Sequence, residues 1–165
     1  MNRTRQLVLL ACLLATLAFV AYSVLTRERT LRDGELVLLR LVPVDPRSLL
    51  QGDYMRLRYA IEQDADPTPR RGYLVLSVDE NRVGHYVRLQ AERDPLKSGE
   101  HLLRFGRRGA GAGEVGRLSV GAESYFFQEG EGDKYARAKY CGLRLDGKGG
   151  SVLVGLWDED LERIR

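Results

Sequence analysis

The chain has 165 residues, with 26 Lys and Arg against 23 Asp and Glu, a net charge of +3 and two cysteines. Arg3 and Arg5 precede a long apolar run, so the rest carries 24 basic residues against 23 acidic ones and is nearly neutral. That balance removes the electrostatic case for nucleic acid as a partner, and one cysteine in the apolar run with one beyond it excludes a disulfide framework.

From Leu7 to Leu25 no residue is charged, and Leu, Ala and Val dominate. As a helix this run spans about 28 Å, close to the hydrocarbon thickness of a bilayer, and predicts a transmembrane segment. Arg3 and Arg5 precede it; Arg27, Arg29 and Arg32 follow it, so the positive-inside count is nearly balanced. The short N-terminal tail favours an N-in, C-out signal anchor. The expected organisation is a cytoplasmic tail (1–6), an anchor (7–25), a juxtamembrane linker (26–33) and an extracytoplasmic domain (34–165) at the bacterial inner membrane. Ala21-Tyr22-Ser23 offers an alternative, cleavage after Ser23, but the run exceeds the usual signal-peptide core of about 7–15 residues, which favours an uncleaved anchor. Leu9-Leu10-Ala11-Cys12 resembles a lipobox with too few apolar residues before it, so Cys12 reads as a lipid-facing or packing residue.

Glu35 to Val42 is a dense apolar run of strand length and predicts a strand buried on both faces. Asp45 as N-cap, Pro46 at the first helical position and Gly52 past the end predict a capped helical turn over 45–52. The next stretch reads Gly52-Asp53-Tyr54-Met55-Arg56-Leu57-Arg58-Tyr59. Gly-Asp is turn chemistry and the residues after it alternate. Met55, Leu57, Tyr59 and Ile61 share one face, predicted to be core; Tyr54, Arg56, Arg58 and Ala60 share the other. Asp53 is expected to brace the turn.

The octapeptide, Gly-Asp-Tyr-x-x-Leu-x-Tyr, is similar to the signature of the GDYXXLXY family of small bacterial membrane-anchored proteins. The motif residues here are Gly52, Asp53, Tyr54, Leu57 and Tyr59. The resemblance extends over residues 36 to 61 and, less specifically, from Glu129 through the C-terminal strands. It implies an anchored domain, suggests partners among multi-pass membrane proteins, and names no substrate or cofactor.

Two prolines break the chain over 64–71. Residues 72–79 and 83–92 predict a hairpin, with Leu74, Leu76 and Val78 aligned on one arm and His85, Val87 and Leu89 on the other. His101 to Phe105 is a further strand; Gly106 to Gly116 is a glycine-rich excursion, and Arg117–Val120 and Ser124–Gln128 are short strands. Residues 133–140 predict about two turns of helix. Tyr140–Asp146 and Ser151–Trp157 close the chain as a hairpin, on which Cys141 shares a face with Leu143 and Leu145 and is expected to be buried. The fold class is mainly β: a compact all-β barrel or sandwich with one short helix, preceded by a single transmembrane helix.

Candidate chemistry is sparse. Gly111-Ala112-Gly113-Glu114-Val115-Gly116 satisfies G-x-G-x-x-G, but the strand-like residues after it do not make the helix a dinucleotide site needs. His85 and His101 lie on separate strands without ligand spacing, and Asp158-Glu159-Asp160 reads as a solvated terminus, so no metal or cofactor is expected. Arg107-Arg108 beside the glycine loop raises contact with anionic headgroups, for which two charges would supply only about 2 kcal/mol. An enzymatic alternative is a signal-peptidase-like serine hydrolase with Ser48 as nucleophile and Lys97, Lys134, Lys139 or Lys148 as base. Ser48 within a capped turn is amply explained by local hydrogen bonding. The leading expectation is a non-enzymatic binding or assembly module. Tyr54, Arg56 and Arg58 are the candidate docking face, because aromatic residues and Arg are favoured interface anchors.

Overall fold

The computed structural model describes residues 3–42, 54–66, 69–109, 116–128 and 130–165. Helix α1 (Arg3–Asp33) is apolar on every side, with a mean hydropathy of 2.5 in its most apolar window and none of that window buried. At about 1.5 Å per residue it is long and apolar enough to cross a bilayer. The segment 26–33 continues α1 without a break. Its Thr26 and Thr30 hydroxyls donate to the carbonyls of Tyr22 and Thr26, and the helix closes where the Gly34 N–H reaches Thr30 O at 3.0 Å.

Directly after α1, β1 (Glu35–Arg40) pairs antiparallel with β8 (Tyr140–Leu145), and β8 with β9 (Ser151–Trp157). Val37, Leu38 and Leu39 are all buried, so the dense apolar run of β1 is covered on both faces. The second sheet has the order β4-β3-β5-β6, with β3 at Arg71–Val78, β4 at Gly84–Gln90, β5 at Glu100–Arg108 and β6 at Arg117–Ser119. A two-stranded ribbon joins β2 (Tyr54–Arg56) to β7 (Ser124–Phe126), and α2 (Gly132–Ala136) precedes β8.

One core lies between these layers. Val37, Leu39, Cys141 and Leu143 come from the first sheet; Leu74, Leu76, Leu103 and Phe105 come from the second. The sheets are stitched where the Leu38 N–H reaches Arg82 O and the Arg104 N–H reaches Gly149 O, both at 2.8 Å. The result is a sandwich whose edges are partly joined towards a barrel, the mainly β architecture the sequence predicts.

Several local expectations need correction. On β4 the aligned set is not His85, Val87 and Leu89. A β-bulge puts Tyr86 opposite Leu76 and Arg88 opposite Val75, so Val87 is the extra residue. Tyr86 and Leu89 therefore pack on the core, while His85 and Val87 are exposed. Helix α2 has five residues rather than two turns, because strand pairing claims the residues after it. The Lys139 N–H donates to Trp157 O and Lys139 O accepts from Leu41 N–H, each at 2.8 Å. Strand β5 runs three residues beyond Phe105, since the first residues of the glycine-rich excursion pair with β6. The motif strand is shorter than its alternation suggests: after Tyr59 the chain turns into a 3-10 helix over Ala60–Glu62. Gly52, Asp53 and the predicted turn over 45–52, with Ser48, lie outside the described residues.

Candidate functional site

The motif residues divide between core and surface as their alternation requires. Leu57 and Tyr59 are buried, Met55 packs against the core, and Ile61 is buried within the 3-10 helix. The Tyr59 hydroxyl donates to the carbonyl of Ala122 and lies 3.6 Å from Cys141 Sγ. Burial pushes the Tyr59 phenol well above its ordinary value and the Cys141 thiol up to about 12, so both are neutral structural groups.

The opposite face of the ribbon is open. Tyr54 and Phe126 are cross-strand partners, with ring centroids 5.8 Å apart and planes tilted by 40°. Phe126 is 75% exposed, an unusual placement for an aromatic ring with a neighbour to pack on. Arg56 stands opposite Ser124, and Arg56 and Arg58 are exposed beside the pair. On the inner side of β7, Tyr125 and Phe127 each lie 5.1 Å from the buried Tyr135 ring of α2, which ties the ribbon to the domain.

Beside the aromatic pair the surface sinks into a cleft of about 600 Å³. Its charged lining is Arg56, Arg58, Arg108 and Arg117 with Glu62 and Glu123. Arg108 and Arg117 are direct partners across β5 and β6. The two carboxylates are already engaged. Glu62 accepts the Leu118 N–H at 2.8 Å; Glu123 accepts the Ser119 hydroxyl at 2.6 Å and the Gly121 N–H at 2.8 Å. Burial opposes ionisation of Glu123, but those donors and the Arg108 charge outweigh it and hold its carboxyl below the usual value. None of the four guanidinium groups has a hydrogen-bond or ion-pair partner among the described residues. Arg107, next to Arg108, is different: it donates to the carbonyls of Asp66, Pro69 and Gly116 and braces the loops around β5.

The other candidates are dispersed. His85 Nε2 lies 3.1 Å from Asp79 Oδ2 on the β3–β4 turn, and His101 Nδ1 lies 3.2 Å from Glu35 Oε2 near the end of α1. Among the described residues no group of three His, Cys, Asp or Glu could hold a metal ion. Gly116 leads into strand β6 rather than a helix, so the glycine motif, of which 111–115 lie outside the described residues, lacks the helix a pyrophosphate needs. Lys134 pairs with Glu131 at 2.8 Å, which raises its pKa, opposite to the depression a serine's base requires. Lys97, Lys139 and Lys148 are exposed. Asp158 accepts the N–H groups of Asp160 and Glu162, making a turn that returns Ile164 to the core.

Sequence reasoning found Tyr54, Arg56 and Arg58 but missed Phe126, Arg117 and the membership of Arg108 in their group. The available signal was a hairpin reading of 106–119, which sets Arg108 against Arg117; a search for single strands does not pair them. In the comparison with known families, the model described as "GDYXXLXY protein" matches residues 16–156, from inside α1 almost to the end of β9. No curated protein and no solved structure matches the chain.

Proposed function

The chain belongs to the GDYXXLXY family, and from that premise we propose a non-enzymatic binding or assembly module anchored in the bacterial inner membrane by α1, N-terminus inside, with the β-domain in the periplasm. The observation that carries the reading is the Tyr54–Phe126 pair on the outer face of the ribbon, Phe126 exposed and Tyr54 half-buried, beside the exposed Arg56 and Arg58. A solvent-facing aromatic pair flanked by guanidinium groups is the composition favoured at interface centres.

Geometry narrows what such a partner must be. Leu41, just past the end of β1, bridges to Tyr59, so the ribbon meets the end of β1 remote from α1. A multi-pass membrane partner would reach it with an extramembrane loop or domain.

Photo-crosslinking residues at positions 54, 56 and 58 in intact membranes test the docking face. The expected product is an adduct with a membrane-embedded protein that is lost on Phe126→Ala. Failure to capture such a protein from all three positions contradicts docking through this face. Alkaline phosphatase fused after Arg165 is expected to be active; an inactive fusion overturns the periplasmic orientation.

A further inference from the structure

We propose that the cleft between the ribbon and the β5–β6 edge binds the phosphate group of a small soluble anion, with Arg108 and Arg117 as its principal ligands and Arg56 and Arg58 as flanking ones. The reading goes beyond partner docking and shares with it only Arg56 and Arg58.

Charge supports the assignment. Among the described residues the cleft holds four arginines against two carboxylates, and both carboxylates are occupied by backbone or hydroxyl donors. Among the described residues the lining therefore carries a net +2, on guanidinium groups whose N–H donors have no hydrogen-bond or ion-pair partner there. A guanidinium offers a planar fork of donors that matches phosphate oxygens, and several forks around one cleft match a dianion.

Register gives a second, independent reason. Arg108 and Arg117 are direct cross-strand partners, so their side chains leave the same face of the sheet at the same level. Like charges directly opposite destabilise a strand pair. Here the repulsion is only partly offset: Glu123 is near enough to feel the Arg108 charge, but no carboxylate hydrogen-bonds to either arginine among the described residues. A bound dianion would neutralise it, and the pair resembles other sites where stability is sacrificed for binding.

Position decides the source of the phosphate. His101 and Leu102, at the start of β5, line a cavity with Thr26, Thr30 and Asp33 of α1, whereas Arg108 ends the same strand. Along β5 the separation is about 20–24 Å, up to three screening lengths of about 8 Å at physiological salt. That separation from the end of α1 favours a soluble phosphate compound over a lipid headgroup.

The test uses the full chain in nanodiscs of zwitterionic lipid, titrated calorimetrically with inorganic phosphate and pyrophosphate. Saturable binding of one pyrophosphate per chain is expected, weakened about tenfold by Arg117→Gln, the loss of one charge-assisted contact. The same substitution is expected to raise the melting temperature of the ligand-free protein while reducing its further rise with pyrophosphate; Arg137→Gln, on the exposed end of α2, should leave binding unchanged. An absence of saturable binding, or binding indifferent to Arg117→Gln, overturns the proposal. Competition by anionic lipid added to the nanodiscs overturns the soluble source and assigns the cleft to headgroups. Crosslinking from position 54 without pyrophosphate binding defeats this inference alone; pyrophosphate binding without crosslinking defeats only the docking reading.

Discussion

Cys141 has zero exposure beneath Tyr59, in the middle of the core. Burial pushes its thiol up to about 12, so almost no thiolate exists at neutral pH and no path leads a reagent to it. A Cys12→Ser protein is accordingly expected to resist maleimide until denaturant is added, then to take up one label. Labelling of the native protein would show that the core opens locally. Glu100 is the opposite kind of residue. Arg88 grips both of its oxygens and the Lys97 N–H adds a third donor at 2.9 Å, so its carboxyl is held down to about 2, from 4.5. Because the folded-state value is the lower one, the stabilisation is fully present above about pH 4.5 and is lost as pH falls towards 2. Glu100→Gln should melt earlier than the parent at pH 7 and lose less stability across that acid window, which thermal melts at stepped pH will read.

At the scale of elements, what was legible followed from patterns complete within one segment. β1 was readable because an apolar run of strand length has few other uses, and the β8–β9 hairpin because Gly147-Lys148-Gly149-Gly150 separates two clear strands. What was not legible depended on a neighbour. The bulge at Val87 exists because of how β4 sits on β3, and it reverses the face of every residue before it. The shortness of α2 reflects the hold of Trp157 and Leu41 on Lys139, which no local helix propensity anticipates. The arginine cleft is the same case, since Arg56 and Arg117 meet only when the ribbon and second sheet assemble. Another neighbour-dependent feature is the packing of Trp157 on Gly142. A Cβ at Gly142 would lie 2.1 Å from the indole ring, so even alanine must displace it. Gly142→Ala is expected to cost about 2–3 kcal/mol through overpacking. Trp157 is the single tryptophan, so a red-shifted native emission spectrum and an earlier melt would report its displacement directly.

At the scale of the whole molecule, the decisive place is the junction between α1 and the β-domain. Thr30, on the last turn of α1, is buried, and α1 packs against β8 and β9. Gly34 sits in the corner: its N–H closes the helix, its carbonyl accepts from Arg144, and an added Cβ would lie 2.3 Å from Thr30 O and 2.8 Å from Leu145 O. Those backbone oxygens cannot swing aside as a side-chain tip can. The direction in which the domain leaves α1 is therefore built into the junction, and with it the height of the ribbon and cleft above any membrane that α1 crosses. Gly34→Val should break this corner while leaving the core residues, which lie farther along β1, in place. The expected result is a melting temperature close to the parent's together with faster tryptic cleavage after Arg29 and Arg32 and a reduced crosslinking yield from position 54. The three readouts separate presentation from folding: a large fall in melting temperature would mean that the junction belongs to the cooperative core. Undiminished crosslinking alongside faster proteolysis would mean that partner docking tolerates a freely hinged domain.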